Sequence, residues 1–186
     1  MLELLIVITI IGILAGILIP NLADLISGAE KTKTKASFSG YIAAITAYKS
    51  HYKYYPLLFN SEEPFDLSES DNRDKFIMSL RGSRLVGDSW QPLTGNEALY
   101  NRSSRLFHSF DEEEFDDEGY LADTWGNRHI KVIIDYDRDG FITLPSDSEV
   151  EELDGSKIKK DIVIYVLGKD DENRQGEDVF SWAGDD

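Results

Sequence analysis

Cysteine is absent from the 186 residues and histidine occurs only at His51, His108 and His129. No disulfide framework or thiolate metal site is therefore available. Positive charge is scarce: 19 Lys and Arg stand against 35 Asp and Glu, a formal net charge of −16. A surface of that sign repels phosphate backbones, which argues against nucleic acid as a partner and makes divalent cations plausible ones. No GxGxxG, GxSxG or HExxH motif occurs. With so few nucleophiles and bases in recognisable arrangements, nothing motivates an enzyme.

Charge of either sign is nearly missing from the first twenty residues. Leu2 to Ile19 contains one ionisable side chain, Glu3, in an otherwise apolar run rich in Leu and Ile. Such a run has the composition and length of a membrane-spanning helix, roughly 27 Å at about 1.5 Å per residue. A charged group in that setting costs about 2.5 to 3.5 kcal/mol at mid-membrane, so it ordinarily has a partner. A cleavable secretory signal fits poorly, because no Lys or Arg precedes the run and helical pattern continues past Pro20. Farther on, Phe38, Tyr41, Ile45, Tyr48, Tyr52 and Tyr55 recur at spacings of three and four, the core-facing stripe of an amphipathic helix. Pro20 is expected to kink or loosen this helix, and Pro56 to close it near Tyr54.

The stretch Met1 to Pro20, MLELLIVITIIGILAGILIP, resembles the N-terminal segment of type IV pilins and type II secretion pseudopilins. Glu3, the apolar pattern, Gly12, Gly16 and Pro20 fall in that family's register. The resemblance implies a leader and two further residues ahead of Met1, cleavage by a prepilin peptidase, methylation of the new N-terminus, and pairing of Glu3 with a neighbouring subunit's α-amino group. It also implies an α+β fold. A long N-terminal α-helical spine, membrane anchor plus amphipathic half, would pack against a small C-terminal antiparallel β-sheet head with long loops. The expected organisation is a membrane or filament-core helix over 1–25, the amphipathic half over 26–56, and an acidic head over 57–186. Residues 1–60 carry five basic and three acidic side chains, whereas 61–186 carry fourteen and thirty-two.

Within the head, the pattern predicts a short helix over 72–80 ended by Gly82, loop over 87–101, and strands over 106–110, 129–134 and 162–167. The acidic run at 111–118, DEEEFDDE, reads as a solvated loop. Asp123-Thr124-Trp125-Gly126-Asn127 resembles the Asp-Pro-Trp-Gly-Asn turn of major pseudopilins, with Thr124 in place of proline.

Two loops carry metal-type chemistry. In Asp135-Tyr136-Asp137-Arg138-Asp139-Gly140-Phe141, alternate carboxylates put hard oxygens on one side of a turn, Gly140 permits the bend, and the Phe141 carbonyl can point inward. Calcium suits that set, as in the first half of an EF-hand loop. The twelfth position is Ser146 rather than Glu, which leaves Asp147 or Glu149 to complete the shell. The second loop, Val166 to Trp182, resembles the terminal calcium loop of major pseudopilins. There the resemblance implies Asp170 and one of Glu177 or Asp178 as ligands, with the Leu167 carbonyl. One or two calcium sites are expected.

The functional expectation is a structural subunit, a homo-oligomer polymerising into a periplasmic pseudopilus of a type II secretion system. It would be anchored as a single pass in a bacterial inner membrane, head in the periplasm, and served by secretion-system assembly proteins. A type IV pilus subunit and a membrane-tethered calcium-binding module are the alternatives.

Overall fold

The computed structural model describes the chain except residues 1, 88, 148–149, 151, 169–176 and 183–186; in the first helix, the side chains of 2–5 and 17–24 are also outside the description. Helix α1 is Leu2–Tyr52. It ends where Lys53, at φ 69°, turns left-handed and donates its amide to the Lys49 carbonyl at 2.8 Å. There follow β1 (Phe65–Asp66), α2 (Ser70–Arg81), β2 (Ser83–Val86), β3 (Ser89–Pro92), short 3-10 turns at Gly95–Leu99 and Glu112–Glu114, β4 (Lys131–Ile134), β5 (Ile142–Thr143), β6 (Lys157–Ile158), β7 (Ile162–Val166) and β8 (Val179–Phe180).

The main sheet has the order β1-β4-β7-β8, with every neighbouring pair antiparallel. Strands β4 and β7 pair Val132 with Ile164 and Ile133 with Val163. Because side chains alternate along a strand, the two faces bury different sets. Val132, Ile134, Ile164 and Val166 pack toward Phe38, Tyr41, Ile45 and Tyr48 of α1 and Phe76 and Leu80 of α2. Ile133, Val163 and Tyr165 face a second cluster made by Ile142, Leu144, Val150, Leu153 and Phe180. The aromatic stripe of α1 is thus core, and its hydroxyls are satisfied: Tyr48 donates to the Tyr100 carbonyl at 2.6 Å and Tyr52 to Asn101 Oδ1 at 2.7 Å.

The antiparallel sheet with helices packed on it is an α+β arrangement, but the expected spine needs correction. Among the described residues, no helix is long and apolar enough to cross a membrane. Crossing needs about 20 consecutive apolar residues. From residue 25 onward α1 carries Glu30, Lys31, Lys33 and Lys35. The membrane-anchor half of the spine and the single-pass inner-membrane placement, with the head in the periplasm, are therefore withdrawn.

Three smaller differences have physical causes. Residues 106–110 are not a strand: the Phe107 and His108 amides donate to the Leu80 carbonyl at the end of α2 rather than to a sheet strand. The stretch expected as loop over 87–101 contains the second half of the β2–β3 hairpin and a 3-10 turn. The acidic run is only partly solvated: Glu114 Oε2 lies 3.0 Å from His108 Nε2, Asp116 pairs with Arg128, and Glu113 with Lys33.

Candidate metal centre

Asp135 is the first residue beyond β4, and its amide donates to the Asp161 carbonyl at 2.9 Å, just ahead of β7. The sheet therefore fixes where the 135–140 turn begins. Within the turn, Gly140 donates to Asp135 Oδ2 at 3.0 Å, Asp139 to Asp137 Oδ1 at 3.0 Å, and Phe141 to Asp139 Oδ1 at 2.8 Å. Arg138 and Gly140 take φ values of 65° and 85°, the left-handed geometry that folds the loop back on itself. Asp135 is 3% exposed, and its second oxygen, Oδ1, has no hydrogen-bond partner. A buried carboxylate oxygen without a donor carries a desolvation penalty that normally demands a compensating group.

Glu62, in the loop between α1 and β1, enters the same place. Its Oε1 is buried and without a hydrogen-bond partner. One oxygen each from Glu62, Asp135 and Asp137 lies within 4.8 Å of the others. Burial, then the nearby charges of Asp137 and Asp139, push the Glu62 carboxyl above its ordinary range. Asp139 turns its Oδ2 toward Lys157 Nζ, 3.4 Å away on β6. The structure thus brings together Asp135 and Asp137 of the sequence-predicted set and adds Glu62, while Asp139 has a cationic partner. Phe141 is exposed at its ring. Ser146 bridges to Asp154, Asp147 donates its amide to the Leu153 carbonyl, and Glu149 lies outside the described residues. No local sequence signal marks Glu62, which is separated from Asp135 by the whole of β1 to β4.

In the C-terminal loop, Asp170 lies outside the described residues and Leu167 is buried. Asp178 Oδ1 accepts the Gly168 amide at 2.7 Å, tying the two ends of the loop together. Glu177 is turned to α1, accepting from Ser27 Oγ at 2.5 Å and Lys31 Nζ at 3.1 Å, and these donors hold its carboxyl below the usual range. The two acids are thus directed to different partners.

The 123–127 turn is a docking element. Asp123 accepts from the amides of Trp125 and Asn127 at 2.9 and 2.8 Å and from Asn127 Nδ2 at 2.9 Å. Thr124 Oγ1 lies 2.9 Å from Thr34 Oγ1 and donates to the Glu30 carbonyl at 3.0 Å. Thr124 thus fastens the turn to α1, something a proline at that position could not do.

Glu3 and Pro20 lie in α1, with their side chains outside the description. Elsewhere in the apolar stretch of α1, Ile6, Val7, Ile8, Ile10, Ile11, Ile13 and Leu14 are each between 49% and 61% exposed. At helical spacing these positions occupy every side of the helix, so no side of this stretch is packed on the head.

The chain matches no protein family model, no curated protein and no solved structure.

Proposed function

We propose that this chain is a pilin-like structural subunit that polymerises into a filament of the pseudopilus kind of a type II secretion system, through its apolar N-terminal helix. The observation that carries the reading is the ring of half-exposed Ile, Leu and Val side chains over 6–14. Fully burying such a side chain is worth about 1.5 to 3 kcal/mol, so covering the exposed half of seven of them offers roughly 5 to 10 kcal/mol per subunit before the cost of ordering the assembly. A second copy of the same stretch is a chemically matched cover. Head-to-tail repetition of one such contact gives an open helix of subunits rather than a closed ring. By the family resemblance, Glu3 would sit opposite a neighbour's α-amino group, so that neither charge enters the apolar filament core unpaired.

The absence of cysteine makes the test direct. In the full chain, Ile10→Cys is expected to oxidise rapidly to a disulfide-linked dimer, while Tyr136→Cys in the exposed turn of the head stays reduced at the same protein concentration. Electron microscopy should show filaments that Ile10→Asp removes without altering the head's thermal melt. A chain that remains monomeric at high concentration, with Ile10→Cys no more prone to dimerise than Tyr136→Cys, overturns the reading. Filament length then separates a short pseudopilus from a long type IV fibre.

A further inference from the structure

We propose that Glu62, Asp135 and Asp137 form a calcium-type cation site, in which Glu62 supplies from a distant loop the carboxylate that the 135–146 loop lacks at its twelfth position. Two oxygens bound to one calcium ion at 2.3 to 2.6 Å can be at most about 5 Å apart. The three carboxylates satisfy that limit, each offering an oxygen within 4.8 Å of the other two. The cluster does not stand alone. Asp135, at 3% exposure, leaves Oδ1 without a donor, and Glu62 Oε1 is likewise buried and unpartnered. Two buried carboxylate oxygens without donors, on residues whose carboxylates approach within 4.8 Å, are what a bound cation satisfies and what an apolar group does not.

The donor set selects the ion. It consists of oxygens only, with neither imidazole nor thiolate in the triad, so a hard cation is favoured over zinc or copper. Carboxylates drawn from two separate loops suit the variable six to eight ligands of calcium better than the strict octahedron of magnesium. Asp139 remains outside because Lys157 takes its second oxygen at 3.4 Å. The consequence is mechanical. Glu62 belongs to the segment that follows α1, while Asp135 and Asp137 belong to the turn between β4 and β5. A cation shared by them ties the end of the helix to the sheet and couples ion binding to order in both loops. This inference does not rest on filament assembly and holds equally for a monomer.

The probe is calcium chloride titrated into the full chain after chelator treatment, followed by calorimetry and thermal melting. One ion per chain and a higher melting temperature are expected. Glu62→Gln should weaken binding by about tenfold or more. In the metal-free protein it should not destabilise the fold, because it removes a charge from a crowded anionic site. Asp135→Asn, which keeps the acceptor for the Gly140 amide, should weaken binding at least as much. Glu177→Gln in the C-terminal loop should leave the affinity unchanged. No calcium-dependent heat or melting shift at millimolar calcium overturns the proposal, as does a Glu62→Gln protein that binds as the parent does.

Discussion

At the scale of single residues, the carboxylates of the head differ in how the fold treats their charge. Burial works against ionisation of Asp66, Glu114 and Asp116 but is outweighed: by Ser68 and His129 for Asp66, by His108, Tyr41 and the Asp111 amide for Glu114, and by the Tyr120 amide and Arg128 for Asp116. All three carboxyls are held below the usual range. Unfolded carboxyls titrate near pH 4. The stability contributed by these three groups is therefore present above about pH 4 and is lost as pH falls through their lower folded values. Asp123 and Glu62 run the other way, because burial raises them; their contribution is present below the unfolded value and lost as pH rises through the folded one. With the three depressed groups prevailing, the melting temperature should drop on acidification from pH 5 to pH 3. Glu114→Gln should flatten that profile when followed by circular dichroism; an unchanged slope would show that the His108 pair contributes nothing to it. The same scale explains why Asp135 and Asp137 were readable and Glu62 was not. Alternate Asp residues before a Gly are a local signal, whereas a carboxylate brought in from another loop has none until the chain folds.

At the scale of elements, apolar spacing marks α2, and β-branched composition marks the strands β4 and β7, which are buried on both faces. These signals failed where neighbours decided the outcome. Leu106 to Phe110 alternates like a strand, yet the Phe107 and His108 amides close the C-terminal end of α2 instead. The β2–β3 hairpin was hidden by turn-rich composition. Gly87, at φ 57° between Val86 and Ser89, is the short hairpin signal that could have revealed it. Helix α2 is held chiefly by Phe76, fully buried and edge-on to Tyr41 at 5.5 Å and to Phe110 at 6.2 Å. Phe76→Ala should cost about 3 to 5 kcal/mol, read from denaturant unfolding. A loss below 1 kcal/mol would mean that the aromatic cluster is not the joint between α1 and α2.

For the whole molecule, charge and apolar surface are segregated along the chain. Thirty-two of the 35 acidic residues lie beyond residue 60, while exposed apolar side chains are most concentrated over Ile6 to Leu14. In the proposed filament, repulsion between heads and attraction between helices would favour contact through the N-terminal end. The exposed ion pairs Lys31–Glu177 and Lys49–Asp161 contribute little, so the net self-repulsion of the head should dominate its response to salt. In chelator-treated protein, raising sodium chloride from about 0.05 to about 0.5 M should increase the melting temperature, because screening relieves that repulsion. A decrease would mean that the ion pairs outweigh it.

What the sequence determined by itself is whatever depends on near neighbours along the chain: the aromatic stripe of α1, the strands that pair across the sheet, the acid-glycine turn and the sign of the surface. Tertiary structure alone decided which carboxylates meet, which strand edges are free, and which face of β7 receives the second cluster. Those outcomes depend on contacts between residues tens of positions apart, and pattern along a chain holds no record of what will lie across from it.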